Sequence, residues 1–333
     1  MAAQHEVWTL AETRDGKLHS VSYELLAWGR SLADDLKVPL ASVVLGDASD
    51  LPSLFEYGAD KVYHVSAPEL KHYLVDSQVS VLKEMVEKLE PQIFISSATT
   101  QGRSTMPVLY AKLGVGLTAD CTGLSIQDGG LLQTRPAIGG NVMADIMTPT
   151  RRPQMCTVRP KSKRPLQRDA QRKGEIVSYA PQKSSLASLL TFLGFEAESR
   201  VGLPIQDAEV IVAGGKGMKG AKNFMLLDEL AGLLGGSVGA SRSAVDLGWA
   251  PASSQVGLSG KSVTPRLYLA CGISGAVQHL AGMSGAETVV AINTDAEAPI
   301  FGVADLGVVG SVLEIIPRLI SDLKKGSAQG VSK

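Results

Sequence analysis

The stretch 271–283, which reads CGISGAVQHLAGM, combines residue types that could hold a phosphate group. The run 266–270 before it (RLYLA) predicts a buried strand, and Gly272 and Gly275 would let the backbone turn sharply and approach a ligand closely. Ser274 stands between these glycines. The unpaired N–H groups at the start of the helix that follows would then face an anion. The stretch therefore predicts a site for a nucleotide cofactor.

Two polar side chains inside the predicted helix could recognise the group that the phosphate carries. Gln278 and His279 would lie in its first turns, where they could hydrogen-bond a polar ring edge. The alternative for His279 is a half-buried histidine whose nitrogens are satisfied within the protein. Farther along, Asn293 follows a predicted strand at 289–292, a place where α/β folds often contact ribose or adenine.

Three further loops near predicted strand ends could serve the same ligand. Residues 214–219 (GGKGMK) offer backbone N–H groups and a cation to a diphosphate, although they match neither the GxGxxG nor the GxxxxGK[ST] pattern. Residues 239–244 place Arg242 beside a hydroxyl, and residues 255–261 expose a hydroxyl between two glycines. The plainer alternatives are a tight turn, a surface arginine paired with Asp246 and an ordinary loop. Because all three loops lie near predicted strand ends, one shared site is favoured over these alternatives.

Strands alternate with helices on both sides of these loops. Strands are predicted at 7–10, 42–45, 61–65, 93–96, 210–213, 267–270 and 289–292, and helices at 23–37, around 79–89, at 222–234, from 276 and at 312–324. Such alternation predicts parallel β-α-β units with right-handed crossovers. The predicted fold class is therefore α/β, with two domains that each contain a mainly parallel sheet flanked by helices.

The length of 333 residues allows two domains of ordinary size. The boundary is predicted near Arg200, which gives domains at 1–200 and 201–325, and the polar residues 326–333 predict a flexible tail. Residues 184–195 are interpreted as the connector. Short apolar runs at 124–126 and 131–134, separated by glycines, predict hairpin-like strands in the first domain.

The composition excludes several classes of function. Charged residues make up 20% of the chain and the net charge is -1, which gives little support to binding of nucleic acid. The N-terminal residues lack the features of a secretory signal, and no charge-free apolar run approaches the roughly 18 residues that a membrane span requires. We expect a cytoplasmic protein or a processed organelle protein, without membrane insertion.

The sequence predicts neither a metal centre nor a cysteine-based site. Cys121, Cys156 and Cys271 are widely spaced, which predicts buried and inert thiols rather than disulfides or metal ligands. No Ser-His-Asp triad or paired-carboxylate pattern stands out. The basic run 151–173 is interpreted as solvated surface, with a docking surface for a partner subunit or a contact to a nucleotide phosphate as alternatives.

Several motifs follow one another in a recognisable order and spacing. They are Ser241-Arg242, Val256-Gly257 with Ser259-Gly260-Lys261, the stretch 271–283 and residues 291–301. This series resembles the FAD-binding signature of the electron-transfer flavoprotein α subunit. Residues 116–120 and 134–141 are similar to bacterial members of that family, so that the resemblance covers nearly the whole chain.

The resemblance implies a heterodimer with a β subunit. The domain at 201–325 would be the FAD-binding domain, the domain at 1–200 would associate with the β subunit, and AMP or a second FAD would lie in that subunit. The heterodimer would relay electrons between soluble dehydrogenases, such as the acyl-CoA dehydrogenases of fatty acid β-oxidation, and an acceptor such as a quinone oxidoreductase. The chain would be a redox carrier rather than a stand-alone enzyme, in the bacterial cytoplasm or, in a eukaryote, the mitochondrial matrix.

The resemblance also implies roles for single residues. Arg242 would lie over the isoalloxazine, Ser259 would hydrogen-bond flavin N5, and His279 would face the N1/C2 edge. Asn293 would lie towards the adenosine, and Gln278 near the ring. The full set of implied cofactor-binding residues is Gly215, Lys216, Ser241, Arg242, Val256, Gly257, Leu258, Ser259, Ser274, Gly275, Ala276, Val277, Gln278, His279 and Asn293.

Three of these positions depart from the pattern of many family members. Lys216 stands where many have arginine, Leu258 where many have glutamine, and Ser259 where many have threonine. The first change keeps the charge but loses a bidentate donor. These departures are similar to members that bifurcate electrons from NADH with a second FAD in the β subunit, which leaves that function open as an alternative.

Two other classes of function remain as alternatives. A dehydrogenase with a nicotinamide or thiamine cofactor would need a catalytic base and a substrate cleft, and no such residues stand out in the sequence. A structural subunit could retain AMP or FAD only for folding. A bound flavin that accepts and passes on electrons would distinguish the relay from both.

Overall fold

The computed structural model describes residues 5–137, 142–194, 204–206 and 208–329. The chain divides into two compact units, Met1–Phe195 and Glu196–Lys333, which we call the N-terminal and the C-terminal unit. The predicted boundary at Arg200 lies outside the described residues, as do Gly139, Gly140 and Asn141 of the motif at 134–141.

The N-terminal unit is built on parallel strands, with a small antiparallel sheet beside them. Its strands are β1 (Val7–Leu10), β2 (Thr13–Arg14), β3 (Lys17–Leu18), β4 (Leu40–Leu45), β5 (Lys61–Val65), β6 (Ile93–Ser97), β7 (Leu117–Cys121), β8 (Gly123–Gln127), β9 (Gly130–Pro136), β10 (Met143–Met147), β11 (Gln154–Val158) and β12 (Glu175–Ser178). Its helices are α1 (Val21–Leu36), α2 (Pro52–Glu56), α3 (Val75–Leu89), α4 (Thr100–Leu113) and α5 (Lys183–Leu186).

Seven of the described strands of this unit form one sheet in the order β12-β5-β4-β1-β6-β11-β7, with every pair parallel. Strand β4 is buried along its whole length, as its apolar sequence LASVVL requires in a sheet covered on both faces. The strands β10, β9 and β8 form a three-stranded antiparallel sheet. That sheet confirms the hairpins predicted at 124–126 and 131–134.

The basic run 151–173 folds back onto the N-terminal unit. Its residues Gln154–Val158 form the fully buried strand β11, so that the interpretation of the run as solvated surface is wrong there. Six of the nine basic residues in the run are exposed, so that the interpretation holds outside the strand. Some of these charges are paired within the unit: Arg159 makes two bonds to Asp120, at 3.2 and 2.8 Å, and Arg168 lies 2.6 Å from Glu56.

The C-terminal unit is a smaller parallel α/β structure. Its strands are β13 (Val210–Gly214), β14 (Ser237–Ala240), β15 (Leu267–Cys271), β16 (Thr288–Asn293) and β17 (Leu306–Val309), and its helices are α6 (Phe224–Leu233), α7 (Arg242–Asp246), α8 (Val277–Met283) and α9 (Val312–Gln329). The sheet order is β14-β13-β15-β16-β17, with every pair parallel. Together the two sheets confirm the predicted α/β fold class.

The sheet of the C-terminal unit has an apolar layer on each face. Tyr268, Met283 and Ile300 belong to one buried cluster, whereas Leu227 and Ile316 belong to the other. Successive residues of a strand point to opposite faces, so that Tyr268 and its neighbours on β15 supply both layers. Helix α9 runs to Gln329, beyond the predicted end at 324, and takes in the first four residues of the predicted tail. Residues 330–333 lie outside the described residues.

Candidate functional site

The strand order of the C-terminal unit reverses between β13 and β15. From β13 the chain passes to β14 on one side and then crosses to β15 on the other side of β13. In open parallel sheets, ligands bind outside the carboxyl ends of the strands at such a topological switch point. The loops that follow β13 and β15 are the predicted phosphate loops at 214–219 and 271–276, and the fold therefore brings them side by side.

These two loops contact each other through their backbones. The N–H of Gly215 donates to the carbonyl of Cys271 at 2.9 Å, and the N–H of Gly217 donates to that of Gly272, also at 2.9 Å. A Cβ at Gly215 would lie 2.3 Å from the Gly272 oxygen, so that no larger residue fits there. Lys216 is exposed between the two glycines, which leaves its ammonium free to meet an anion.

A second tight contact shapes the loop between β15 and α8. Gly275 has a φ of +89°, and a Cβ there would lie 2.3 Å from the backbone nitrogen of Ile300. The N–H of Ile300 donates to the carbonyl of Ser274 at 3.0 Å. This packing holds the loop in place, and the predicted site residues Ser274, Ala276, Val277 and Gln278 are all exposed.

The loop 255–261 lies against α8 and against the end of β14. The N–H of Val256 donates to Ala240 at 2.9 Å, and the N–H of Leu258 donates to the carbonyl of Gln278 at 2.7 Å. The side chain of Leu258 is 75% exposed. Ser259 is exposed as well, and its hydroxyl accepts a hydrogen bond from the Gln255 amide at 3.0 Å. The loop thus adds a hydroxyl and an apolar side chain to the same surface.

Arg242 begins the short helix α7 directly after β14. Ser241 caps that helix with its hydroxyl, and the Ser241 N–H donates to Gly214 at 2.9 Å, which ties this turn to the end of β13. The Arg242 side chain is 71% exposed and lies 3.5 Å from Asp246. The predicted alternative, an ion pair with Asp246, is therefore present. An exposed pair of this kind is weak and leaves the guanidinium available to a ligand.

His279 is 7% exposed and has one ring nitrogen engaged. Its Nε2 lies 2.9 Å from the hydroxyl of Tyr268, whereas its Nδ1 is buried without a hydrogen-bond partner in the described part of the chain. Burial lowers the pKa of His279 to about 4, against a smaller opposing effect of the Val256 carbonyl. The imidazole is therefore neutral at pH 7. The expectation of a satisfied histidine holds for only one of its two nitrogens.

Asn293 serves the backbone at the end of β16. Its side-chain N–H donates to the carbonyl of Ile273 at 2.9 Å, and its side-chain oxygen accepts from the N–H of Asp295 at 3.0 Å. These bonds position the loop after β15. The amide thus contacts the protein, and its predicted place towards an adenosine stays a prediction.

Hydrogen bonds connect all of the predicted site segments, through the backbone or, for Asn293, through its side-chain amide. Ser241 bonds to Gly214, Gly217 to Gly272, and Leu258 to Gln278, while Asn293 bonds to the loop after β15. The fold therefore assembles segments up to about 80 residues apart into one edge of the sheet, as parallel strands require. Sequence reasoning overlooked Tyr268. A hydroxyl inside an otherwise apolar strand was the available signal, because a buried phenol needs a hydrogen-bond partner.

The N-terminal unit has a switch point of its own, between β1 and β6. Glu12, 8% exposed, follows β1 and accepts a hydrogen bond from the hydroxyl of Thr99, the N-cap of α4. Burial raises the pKa of Glu12 to about 7. The cavity beside these residues measures ≈ 10 Å³, about the room that one water needs. Side chains therefore fill this crevice.

The described residues provide neither a cluster of metal ligands nor a membrane-spanning helix. No group of three or more His, Cys, Asp or Glu residues among them could hold a metal ion. In the same residues, no helix is long and apolar enough to span a membrane. All three cysteines are free and buried, as predicted.

Comparison with known proteins extends over both units. Residues 7–184 match the electron transfer flavoprotein domain, and residues 204–284 match the electron transfer flavoprotein FAD-binding domain. The latter match contains the loops after β13 and β15 and the helix α8. The matched region therefore includes the glycine-lined edge of the C-terminal sheet.

Relatives match almost the whole chain. The electron transfer flavoprotein subunit alpha of Thermoanaerobacterium thermosaccharolyticum is 44% identical over 96% of this chain and 98% of its own length. That of Megasphaera elsdenii is 42% identical over 98% of both chains. Subunit LctC of a lactate dehydrogenase (NAD(+),ferredoxin) from Acetobacterium woodii is 39% identical over 92% of this chain and 74% of its own. The chain belongs to the electron-transfer flavoprotein α-subunit family.

Proposed function

We propose that this chain pairs with a β subunit and relays electrons through an FAD held by its C-terminal unit. Its donors would be soluble dehydrogenases such as acyl-CoA dehydrogenases, and its acceptor a protein such as a quinone oxidoreductase. The N-terminal unit, near residues 1–200, would provide the contact with the β subunit, which would itself carry AMP. The observation that carries the proposal is the edge of glycine loops at the switch point between β13 and β15.

The residues at this edge fit a flavin nucleotide in two respects. The close backbone contacts at Gly215 and Gly275 pack the two loops tightly against the protein, and Lys216 and Ser274 beside them are exposed where a diphosphate could bind. The buried Nδ1 of His279 has no hydrogen-bond partner in the described residues, and a flavin edge would supply one. Lys216 and Arg242 are exposed cations in the loops after β13 and β14.

These residues would divide the binding of FAD between them. Gly215, Lys216, Ser274 and Gly275 would hold the diphosphate. Arg242 would lie over the isoalloxazine, where its charge would favour an electron-rich ring in a site of reduced dielectric.

The remaining contacts would be polar and uncharged. Ser259 would hydrogen-bond N5, and His279 would donate to the N1/C2 edge as a neutral imidazole, because its pKa of about 4 keeps it unprotonated at pH 7. Asn293 would act mainly through the loop that it holds. Bound FAD supplies the one- and two-electron chemistry, while the protein sets its position and the charge around it.

A second candidate function is electron bifurcation from NADH, with a second FAD in the β subunit in place of AMP. The name of the LctC relative combines NAD(+) with ferredoxin, which favours this alternative. The departures at Lys216, Leu258 and Ser259 point in the same direction. Leu258 is exposed and offers no hydrogen bond where many family members have an amide, so that the ring would lose one donor near N5.

The test is to purify this chain with its β subunit, release the nucleotides by denaturation and count FAD and AMP per heterodimer. One FAD and one AMP are expected for the relay, whereas two FAD would favour bifurcation. A heterodimer without FAD would overturn the assignment of the site. Reduction of the bound FAD by an acyl-CoA dehydrogenase and its substrate, compared with reduction by NADH, then separates the two functions. FAD that neither donor reduces would indicate a structural role.

A further inference from the structure

Tyr268 is a fully buried tyrosine on β15, and its hydroxyl lies 2.9 Å from Nε2 of His279. The two rings meet edge to face, with their centroids 6.1 Å apart. A phenol removed from water costs free energy unless it is hydrogen-bonded, so that this contact accounts for a hydroxyl in the core. Burial also raises the pKa of Tyr268 well above its usual value, and the hydroxyl therefore keeps its proton.

The direction of this hydrogen bond decides which nitrogen of His279 carries the proton. A neutral imidazole has one N–H and one lone pair. The Tyr268 hydroxyl has one proton to donate, and Nε2 of His279 is the only hydrogen-bond partner of that hydroxyl in the described part of the chain. A buried hydroxyl proton left without an acceptor costs free energy, so that Tyr268 is the donor. Nε2 then offers its lone pair, and the single proton of the neutral imidazole lies on Nδ1.

We propose that Tyr268 is a positioning residue of the flavin site: its hydroxyl donates to Nε2 of His279 and leaves Nδ1–H as the imidazole's donor to the flavin edge. The inference rests on the proposed function, which places a flavin there. Tyr268 acts only through His279, because a hydrogen bond to one ring nitrogen fixes the tautomer of the imidazole and the orientation of its ring. The buried Nδ1 without a partner is the atom that this arrangement reserves for the ligand.

The first test measures the tautomer directly. In the heterodimer with bound FAD, labelled with ¹⁵N at histidine, the NMR signals of His279 should show a protonated Nδ1 and an unprotonated Nε2. In the Tyr268→Phe variant both signals should move towards averaged tautomers. Tyr63→Phe is the matched control, because Tyr63 is also buried and bonds to Glu6 at 3.1 Å in the other unit. A protonated Nε2 in the wild type would overturn the proposal.

The second test measures the flavin. Tyr268→Phe should weaken the preference for reduced over oxidised FAD about three- to tenfold, the net worth of one hydrogen bond. The double variant with His279→Ala should lose no more than His279→Ala alone. Additive losses, or an unchanged flavin potential in Tyr268→Phe, would overturn the role of Tyr268. Absence of FAD from the wild type would overturn the proposed function as well, whereas bound FAD with the wrong tautomer would overturn this inference alone.

Discussion

The two units have the same strand topology at their switch points, but different residues follow the strands there. A buried carboxyl group follows the strand in the N-terminal unit, and glycines follow the strands in the C-terminal unit. In the N-terminal unit, the buried Glu12 follows β1 and bonds to Thr99, and the adjoining cavity measures ≈ 10 Å³. In the C-terminal unit, Gly215 and Gly272 follow β13 and β15, and the loop residues Lys216, Ser274 and Ala276 are exposed. A strand order that reverses thus creates a crevice, and the residues after the strands decide whether a ligand can enter it.

The two edges also differ in charge, and this difference again favours an anionic ligand at the C-terminal edge. A carboxyl group at the N-terminal switch point would repel a phosphate whenever it is ionised. The loops after β13 and β14 carry the exposed cations Lys216 and Arg242. The comparison therefore supports the proposed nucleotide site at the C-terminal edge and a structural role for the N-terminal edge, and substitutions can test each proposal.

The largest effect is expected from Gly275→Ala. The residue has a φ of +89°, and the new Cβ would lie 2.3 Å from the Ile300 nitrogen. The backbone strain alone costs about 1 to 3 kcal/mol, to which the displacement of Ile300 adds. We expect the purified heterodimer to lose its FAD, measured as flavin absorbance per protein after gel filtration.

Gly235→Ala provides the matched control for this substitution. Gly235 also has a positive φ, +65°, but its Cβ would meet no atom within 4 Å. The control carries the strain without the crowding, and it lies after α6 rather than at a predicted phosphate loop. It should lower stability by about 1 kcal/mol and retain FAD. Full retention of FAD by Gly275→Ala would show that the loop after β15 does not form the site.

A smaller effect, of opposite sign, is expected from Glu12→Gln. Burial raises the pKa of Glu12 to about 7 in the folded chain, so that folding takes up a proton between about pH 4.3 and 7. The stability that this proton contributes is complete below that window and is lost as the pH rises through it. Since glutamine has no proton to lose, the variant should exceed the wild type by about 1 to 3 kcal/mol at pH 8. The difference should vanish near pH 4.3.

Urea unfolding at both pH values measures this difference. Glu69→Gln is the control, because Glu69 is exposed in the same unit and its substitution should alter neither value. Equal stability of the Glu12→Gln variant and the wild type at pH 8 would mean that Glu12 is hydrated, and the crevice of the N-terminal unit would then be open. That result would contradict the structural role proposed for the edge of the N-terminal unit.

The strong apolar runs made most of this framework predictable from sequence. Strands β1, β5 and β15 fall within a residue of their predicted bounds, because each is a short segment rich in β-branched, aromatic or other apolar residues. Helix α4 was not predicted, since it contains Gly102 and Pro107. Gly102 is needed there by packing alone: a Cβ would lie 1.8 Å from the Ser97 carbonyl. Such a tertiary requirement leaves no local signal.

The site was predictable as a set of loops but not as a set of contacts. Glycines and hydroxyls after strands identify where a ligand can bind, and the resemblance supplied roles for Arg242 and Ser259. The bonds of Asn293 to backbone atoms and of His279 to Tyr268 depend on segments that meet only in the folded unit. β14 was also missed, because its sequence SVGA is short and contains a glycine.

The smallest of these effects is expected from Arg242→Ala. Its charge is exposed and shared with Asp246, so that solvent screens much of it. We expect FAD to bind about five- to tenfold more weakly, equivalent to roughly 1 to 1.4 kcal/mol, with a lower potential for the bound flavin. Titration of the FAD-depleted heterodimer with FAD at low and high salt measures both the loss and its screening.

Arg266→Ala sharpens this prediction because it removes the same charge from the opposite edge of the same sheet. Arg266 precedes β15, is 72% exposed and lies 3.8 Å from Glu209, in close analogy to Arg242 and Asp246. If the whole charge of the unit attracted FAD, the two variants would lose equal affinity. If the carboxyl edge holds the ligand, only Arg242→Ala should lose affinity, and its loss should shrink as salt rises. Equal losses would therefore show that FAD does not bind specifically at the carboxyl edge beside the switch point.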